Sequence, residues 1–198
     1  MQTTSQAIKA YAEALPEGAT LSARELLHLG ERAAVDQALS RLVRRGELLR
    51  VRRGLFALPM KTRFGSRAPS VEAVVEHIAK STGERVSQSG ASAANLLGIS
   101  TQNPSRKVFW TSGPSRHLKL GAQSVELKHV PSWQLRAPNS RAGHAFRALA
   151  YFGKSEAAQA LTRIKATLNE EEQRELLSLR ASAPTWMAKE LSALAPSQ

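Results

Sequence analysis

Arg41, Arg44 and Arg45 stand at i, i+3 and i+4, and Arg50, Arg52 and Arg53 follow closely. The chemistry such a set supports is anion recognition. A planar guanidinium can hold a phosphate, or the O6/N7 edge of guanine, through two parallel hydrogen bonds. From Arg41 to Arg67 nine basic residues face one acid, Glu47, a local balance of +8. Just upstream, Arg32, Ala33, Asp36 and Gln37 offer donors and acceptors of the kind that read base edges, and Ser40 lies between the two groups.

The elements that must carry these residues follow from periodicity. Val35, Ala38, Leu39 and Leu42 recur at the spacing of one buried helix face, which leaves Gln37, Arg41, Arg44 and, at its edge, Arg45 on the other. Gly46 is placed to end that helix. Leu48–Val51 and Leu55–Leu58 then read as a hairpin around Arg52-Arg53-Gly54. Upstream, Gln6–Leu15 predicts an amphipathic helix, Thr20-Leu21 a short strand, and Ala23–Leu29 a second helix capped by Ser22. Three helices with a tight turn before the third, then a basic hairpin, is the order of a winged helix-turn-helix. In that reading Arg32, Ala33, Asp36 and Gln37, at the start of the third helix, face bases. Arg41 and Arg44 meet phosphates, and Arg52 and Arg53 at the hairpin tip enter the minor groove or clamp the flanking backbone.

Composition agrees with a polyanionic partner. Twenty-eight Lys and Arg against sixteen acids give a formal net charge of +12 over 198 residues. The chain has no cysteine, so disulfides, thiol catalysis and cysteine-ligated zinc are excluded. No stretch has the length of a membrane span and the start lacks an apolar signal core, so a cytoplasmic location without membrane partners is expected. Asp36 is the sole aspartate, and His28, His77, His117, His129 and His144 are scattered without helical pairing. Two-metal hydrolysis needs converging carboxylates, and a serine triad needs an acid, a histidine and a serine together. Nothing in the spacing makes Glu84, His117 and Ser89 converge, so no enzyme, cofactor or metal is expected.

The rest of the chain predicts a second domain. Residues 59–69 (PMKTRFGSRAP) carry two prolines, a glycine and three basic side chains, Lys61, Arg63 and Arg67, and read as a linker that would at most extend the footprint. Ser70 should cap a helix with Val71, Val74, Val75 and Ile78 on one face. Strands are expected at Glu84–Ser87, Lys107–Thr111 and Val125–Val130, a short helix at Ala91–Leu97, and helices from Arg141 to the C-terminus. Ser89-Gly90-Ala91 and Gly113-Pro114-Ser115-Arg116 fit a capped helix start and a proline turn better than phosphate-binding loops. Trp110, Trp133 and Trp186 are expected to anchor the second core. The fold class is thus α+β: a winged helix-turn-helix at 1–60, a basic linker at 61–69, and a mixed α/β domain with a helical tail at 70–198.

The N-terminal pattern, with Ser89–Gly98 (SGASAANLLG), Thr111–Arg116 (TSGPSR) and Ala183–Ala188 (APTWMA), resembles the AbiEi-type antitoxins of type IV toxin–antitoxin systems. That resemblance implies a transcriptional autorepressor that binds inverted repeats upstream of its own operon. It also implies a nucleotidyltransferase-like toxin as neighbour, opposed functionally rather than in a stable complex. Palindromic operators would require a homodimer or cooperative pairing on DNA. Two other readings stay open: an interaction module that neutralises its toxin by direct binding, and, less favoured, a nucleic-acid-processing enzyme.

Overall fold

The computed structural model describes residues 3–101 and 106–195 and is a mixed α+β structure with seven α-helices among them. The contacts divide the chain into two compact units, 1–84 with 116–125, and 85–115 with 126–198.

The first unit begins with α1 (Thr4–Glu13), opened by a reciprocal capping box between Thr3 and Gln6. β1 (Thr20–Ser22) follows. The helix expected at Ala23–Leu29 is instead a run of turns ending in a 3-10 turn, Leu27–Leu29. Its start carries the signal of a helix, with Ser22 N–H donating to Glu25 Oε2 at 2.7 Å and Glu25 N–H to Ser22 Oγ at 3.4 Å. The bonds that follow are those of 3-10 turns: Leu26 takes φ −94° and ψ 4°, and Leu29 N–H donates to the Leu26 carbonyl three residues back at 2.9 Å. α2 (Arg32–Arg44) buries Val35, Ala38, Leu39 and Leu42 against Ile8, Ala12, Leu21, Leu26, Leu48 and Phe56. Burial of each large apolar side chain in this cluster contributes about 1.5–3 kcal/mol. Gly46 takes φ 70°, a left-handed stop that other residues adopt only with strain, and the chain turns into β2 (Leu49–Arg52) and β3 (Leu55–Ala57). The three strands form an antiparallel sheet in the order β1-β3-β2, with Leu21 opposite Phe56 and Leu49 opposite Ala57.

Residues 61–69 are not a featureless linker. β4 (Met60–Thr62) and β5 (Gly65–Arg67) form a second antiparallel hairpin with Lys61 opposite Ser66. The boundary expected at residue 60 also moves. α3 (Val71–Thr82), capped by Ser70, packs into the first unit so closely that a Cβ on Gly18 would lie 2.5 Å from Ala73 Cβ. Further along the chain β8 (Arg116–Leu120), which the sequence reading passed over, returns to this unit with Leu118 and Leu120 buried.

The second unit holds β6 (Val86–Gln88), α4 (Gly90–Leu96) and β7 (Lys107–Thr111). β9 (Gln123–His129) starts in the first unit and ends in the second, and the sheet order is β6-β7-β9-β8. Then come α5 (Arg141–Thr167), α6 (Glu170–Ser178) and α7 (Thr185–Leu191). α5 is interrupted at Gly153 (φ 74°, ψ 179°), where two helical segments join across a kink. α4 lies against α5 at a glycine contact: a Cβ on Gly90 would meet Tyr151 Cβ at 2.6 Å and the Arg147 carbonyl at 2.7 Å. The core gathers Ala93, Ala94, Phe146, Leu149, Ile164 and Leu176, with Trp133 and Trp186 partly buried against it. Trp133 meets Phe146 edge to face, 5.9 Å between ring centres.

Candidate nucleic-acid interface

The site is the outer face of α2 with the turn between β2 and β3. Because the apolar residues of α2 point into the core at 3.6-residue spacing, Arg32, Asp36, Gln37, Ser40, Arg41, Arg44 and Arg45 are all left exposed. Asp36, Gln37, Ser40, Arg41 and Arg44 line one shallow depression along the helix.

Their electrostatic states differ. Arg32 donates from Nε to Asp36 Oδ2 at 2.9 Å, an exposed i, i+4 pair that competes with any base contact by either residue. Arg45 lies 3.9 Å from Glu47, whose carboxylate is also held by Lys9. The Lys9 hydrogen bond keeps the Glu47 carboxyl below its ordinary range, and the same bond raises the Lys9 ammonium. Arg41 and Arg44 have no ion-pair partner among the described residues, nor do Arg52 and Arg53. Four exposed, uncompensated guanidinium groups repel one another weakly in water and are available to an anion.

Arg50 is set apart from them. It lies opposite Phe56 in the sheet, its guanidinium 5.6 Å from the ring centre, so its stem covers apolar surface while its charge stays in water. Arg52 and Arg53 flank Gly54, whose φ of 73° closes the β2–β3 turn. Every sequence-predicted site residue therefore reaches the surface of the first unit. The reading missed two residues there. Lys9 of α1 lines a cleft with Arg41 and Arg45, and its only signal is its place on the polar side of α1. Phe64, between β4 and β5, is 86% exposed, and an aromatic between an arginine and a glycine was its signal.

The loops considered for anion binding have other occupations. Ser89 Oγ accepts from Ser92 N–H and caps α4, as expected. Arg116 donates to Glu84 Oε2 at 2.8 Å in a largely buried pair, which takes up the Glu84 carboxylate. Ser115 Oγ accepts from His129 N–H. Among the described residues no group of three or more histidine and acidic side chains could hold a metal ion, and no helix is long and apolar enough to cross a membrane.

A crystal structure of the RV2827C protein from Mycobacterium tuberculosis has a similar fold, with a TM-score of 0.52 and 18% sequence identity. The match covers 96% of this chain and 75% of that one. No curated protein matches the sequence. A family of unknown function, DUF6088, matches residues 7–176, and the chain belongs to that family.

Proposed function

We propose that this protein is a sequence-specific DNA-binding repressor whose first unit is a winged helix-turn-helix. The observation that carries the reading is the outer face of α2, where Arg41 and Arg44 stand exposed and, among the described residues, without a carboxylate partner. The element order α1-β1-turns-α2-β2-β3 and the sheet order β1-β3-β2 support it, since they set a basic hairpin beside a helix with a polar outer face. Gln37 and Ser40 read base edges, and Arg32 and Asp36 do so only when their exposed ion pair opens. Arg41 and Arg44 neutralise phosphates, and Arg52 and Arg53 hold the flanking strand. The turns at 23–29 take the place of the second helix. Together with the resemblance to AbiEi-type antitoxins, the reading extends to autoregulation of a toxin–antitoxin operon from inverted repeats, with two copies of the chain on one operator.

The test is binding of the purified full chain to the DNA upstream of its own coding sequence, against a random duplex, across a salt series. The expected result is tighter binding to the upstream fragment that survives competitor DNA and weakens linearly in log–log form with salt. Weak binding of equal strength to both duplexes would overturn sequence-specific repression.

A further inference from the structure

The β4–β5 hairpin departs from everything around it. All residues from Lys61 to Arg67 are exposed, whereas the β2–β3 hairpin buries Val51, Phe56 and Ala57. A two-stranded ribbon with neither face covered is only marginally stable in water. Yet its tip is held in one shape. Thr62 Oγ1 donates to the Gly65 carbonyl at 2.8 Å and accepts from Phe64 N–H at 3.2 Å. At its base, Lys61 lies 3.9 Å from Glu13 and Arg67 donates to Glu17 at 3.3 Å, tying the ribbon to the first unit. The tip presents Phe64, 86% exposed, where the next most exposed large apolar side chain among the described residues, Leu96, is 57% exposed. The Arg63 guanidinium sits over the ring at 4.6 Å.

The ribbon also has a defined neighbour. Met60, Lys61 and Ser66 line a cavity with Gly46 and Glu47, which follow the C-terminal end of α2. Phe64 is therefore carried on a ribbon beside the end of α2 assigned to phosphate contact.

We propose that the β4–β5 tip is a second DNA-contacting element, in which Phe64 wedges into a base-pair step from the minor groove while Arg63 moves from the ring to the adjacent phosphate. This rests on the DNA-binding reading and adds to it a site, a groove and a bend. An aromatic and a cation on neighbouring residues suit a duplex, where an apolar base step lies within one nucleotide of a phosphate. An apolar protein pocket would instead strip water from Arg63 without compensation. The ribbon from Met60 to Arg67 carries no acid, and the carboxylates at its base, Glu13 and Glu17, are paired with Lys61 and Arg67. Inserted apolar side chains unstack one step and kink the duplex, most readily at flexible pyrimidine–purine steps.

The experiment uses the full chain, its Phe64→Ala and Phe64→Leu variants, and an end-labelled duplex selected from a random pool by the wild-type chain. Affinity, end-to-end energy transfer and self-association are measured. The expected result is that wild type bends the duplex and that Phe64→Leu keeps the bend. Phe64→Ala should lose it, bind roughly tenfold more weakly, and melt at the same temperature because the ring touches little of the fold. A Phe64→Ala variant with wild-type affinity and bend would overturn the wedge. So would unchanged DNA behaviour with lost self-association, which would make the tip a contact between copies. If the wild-type chain selects no duplex at all, the DNA-binding reading itself fails, and the wedge with it.

Discussion

Arginine serves opposite ends in α2 and α5. On α2, Arg41 and Arg44 are exposed and hold no carboxylate. On α5, Arg147 is fully buried and also has no carboxylate partner among the described residues. It donates from Nη1 to the carbonyls of Arg136 (3.1 Å) and Ala137 (3.5 Å) and from Nη2 to that of Pro138 (2.9 Å), while Nε is unmatched. Burial pushes its guanidinium down to about 10, so it remains charged at neutral pH. Those carbonyls belong to the segment before α5, where Ala137 adopts a left-handed φ of 45°. The lesson is that charge alone does not mark a binding residue. Arg147 is spent on three internal acceptors, whereas Arg41 and Arg44 of α2 have no carboxylate partner among the described residues and leave their donors to solvent.

The largest way to sharpen this contrast is Arg147→Met. It should lower stability by about 3 kcal/mol, because the carbonyls of Arg136 and Pro138 lose a charged donor and the space of a fully buried guanidinium is left poorly filled. Arg147→Lys should recover only part, since one ammonium does not span three acceptors. Thermal unfolding checks both, and an unchanged melting temperature would mean that Arg147 is no more structural than the exposed arginines of α2. Next comes Gln37→Ala, expected to cost about 1–3 kcal/mol on the operator and little on random DNA if the side chain reads a base. A uniform loss on both would reassign it to positioning.

Arg44→Ala should weaken binding to every sequence and reduce the log–log salt slope by about 1, as one phosphate contact disappears. An unchanged slope would mean that the exposed guanidinium touches no phosphate. The smallest effect concerns pH. Burial, then the nearby Arg147 and Arg141, hold the His144 imidazole below its ordinary range, so the unfolded chain takes up the proton first. Stability should therefore fall as pH drops below about 6.5 and level off once the folded chain is protonated as well. In His144→Gln that acid limb should flatten, as read by denaturant midpoints across pH.

The exposed face of α2 could be read directly from the chain because one helix period sorts Val35, Ala38, Leu39 and Leu42 from Gln37, Arg41 and Arg44. The stop at Gly46 and the basic turn around Gly54 were equally visible, since each needs a backbone conformation that glycine adopts freely. Residues 23–29 misled for a local reason: Ser22 and Glu25 exchange the bonds of a helix start, yet the chain goes on in the i+3 bonds of a 3-10 turn at Leu27–Leu29. β4 and β5 went unseen because their residues lack apolar alternation. They pair through the backbone and the Thr62 hydroxyl rather than by burying a face. β8 was missed although His117 and Lys119 alternate with Leu118 and Leu120, because Gly113-Pro114 was read as a turn leading directly to the next strand.

Local periodicity, capping and charge spacing thus settled which residues of α2 face water and how dense the positive charge around them is. Those properties depend on neighbours within a few positions. The partners of each arginine, the place of α3 and β8 in the first unit, and the uncovered tip at Phe64 depend on residues dozens of positions apart. Which guanidinium finds a carboxylate, which finds a carbonyl and which finds only solvent is decided when those distant segments come together.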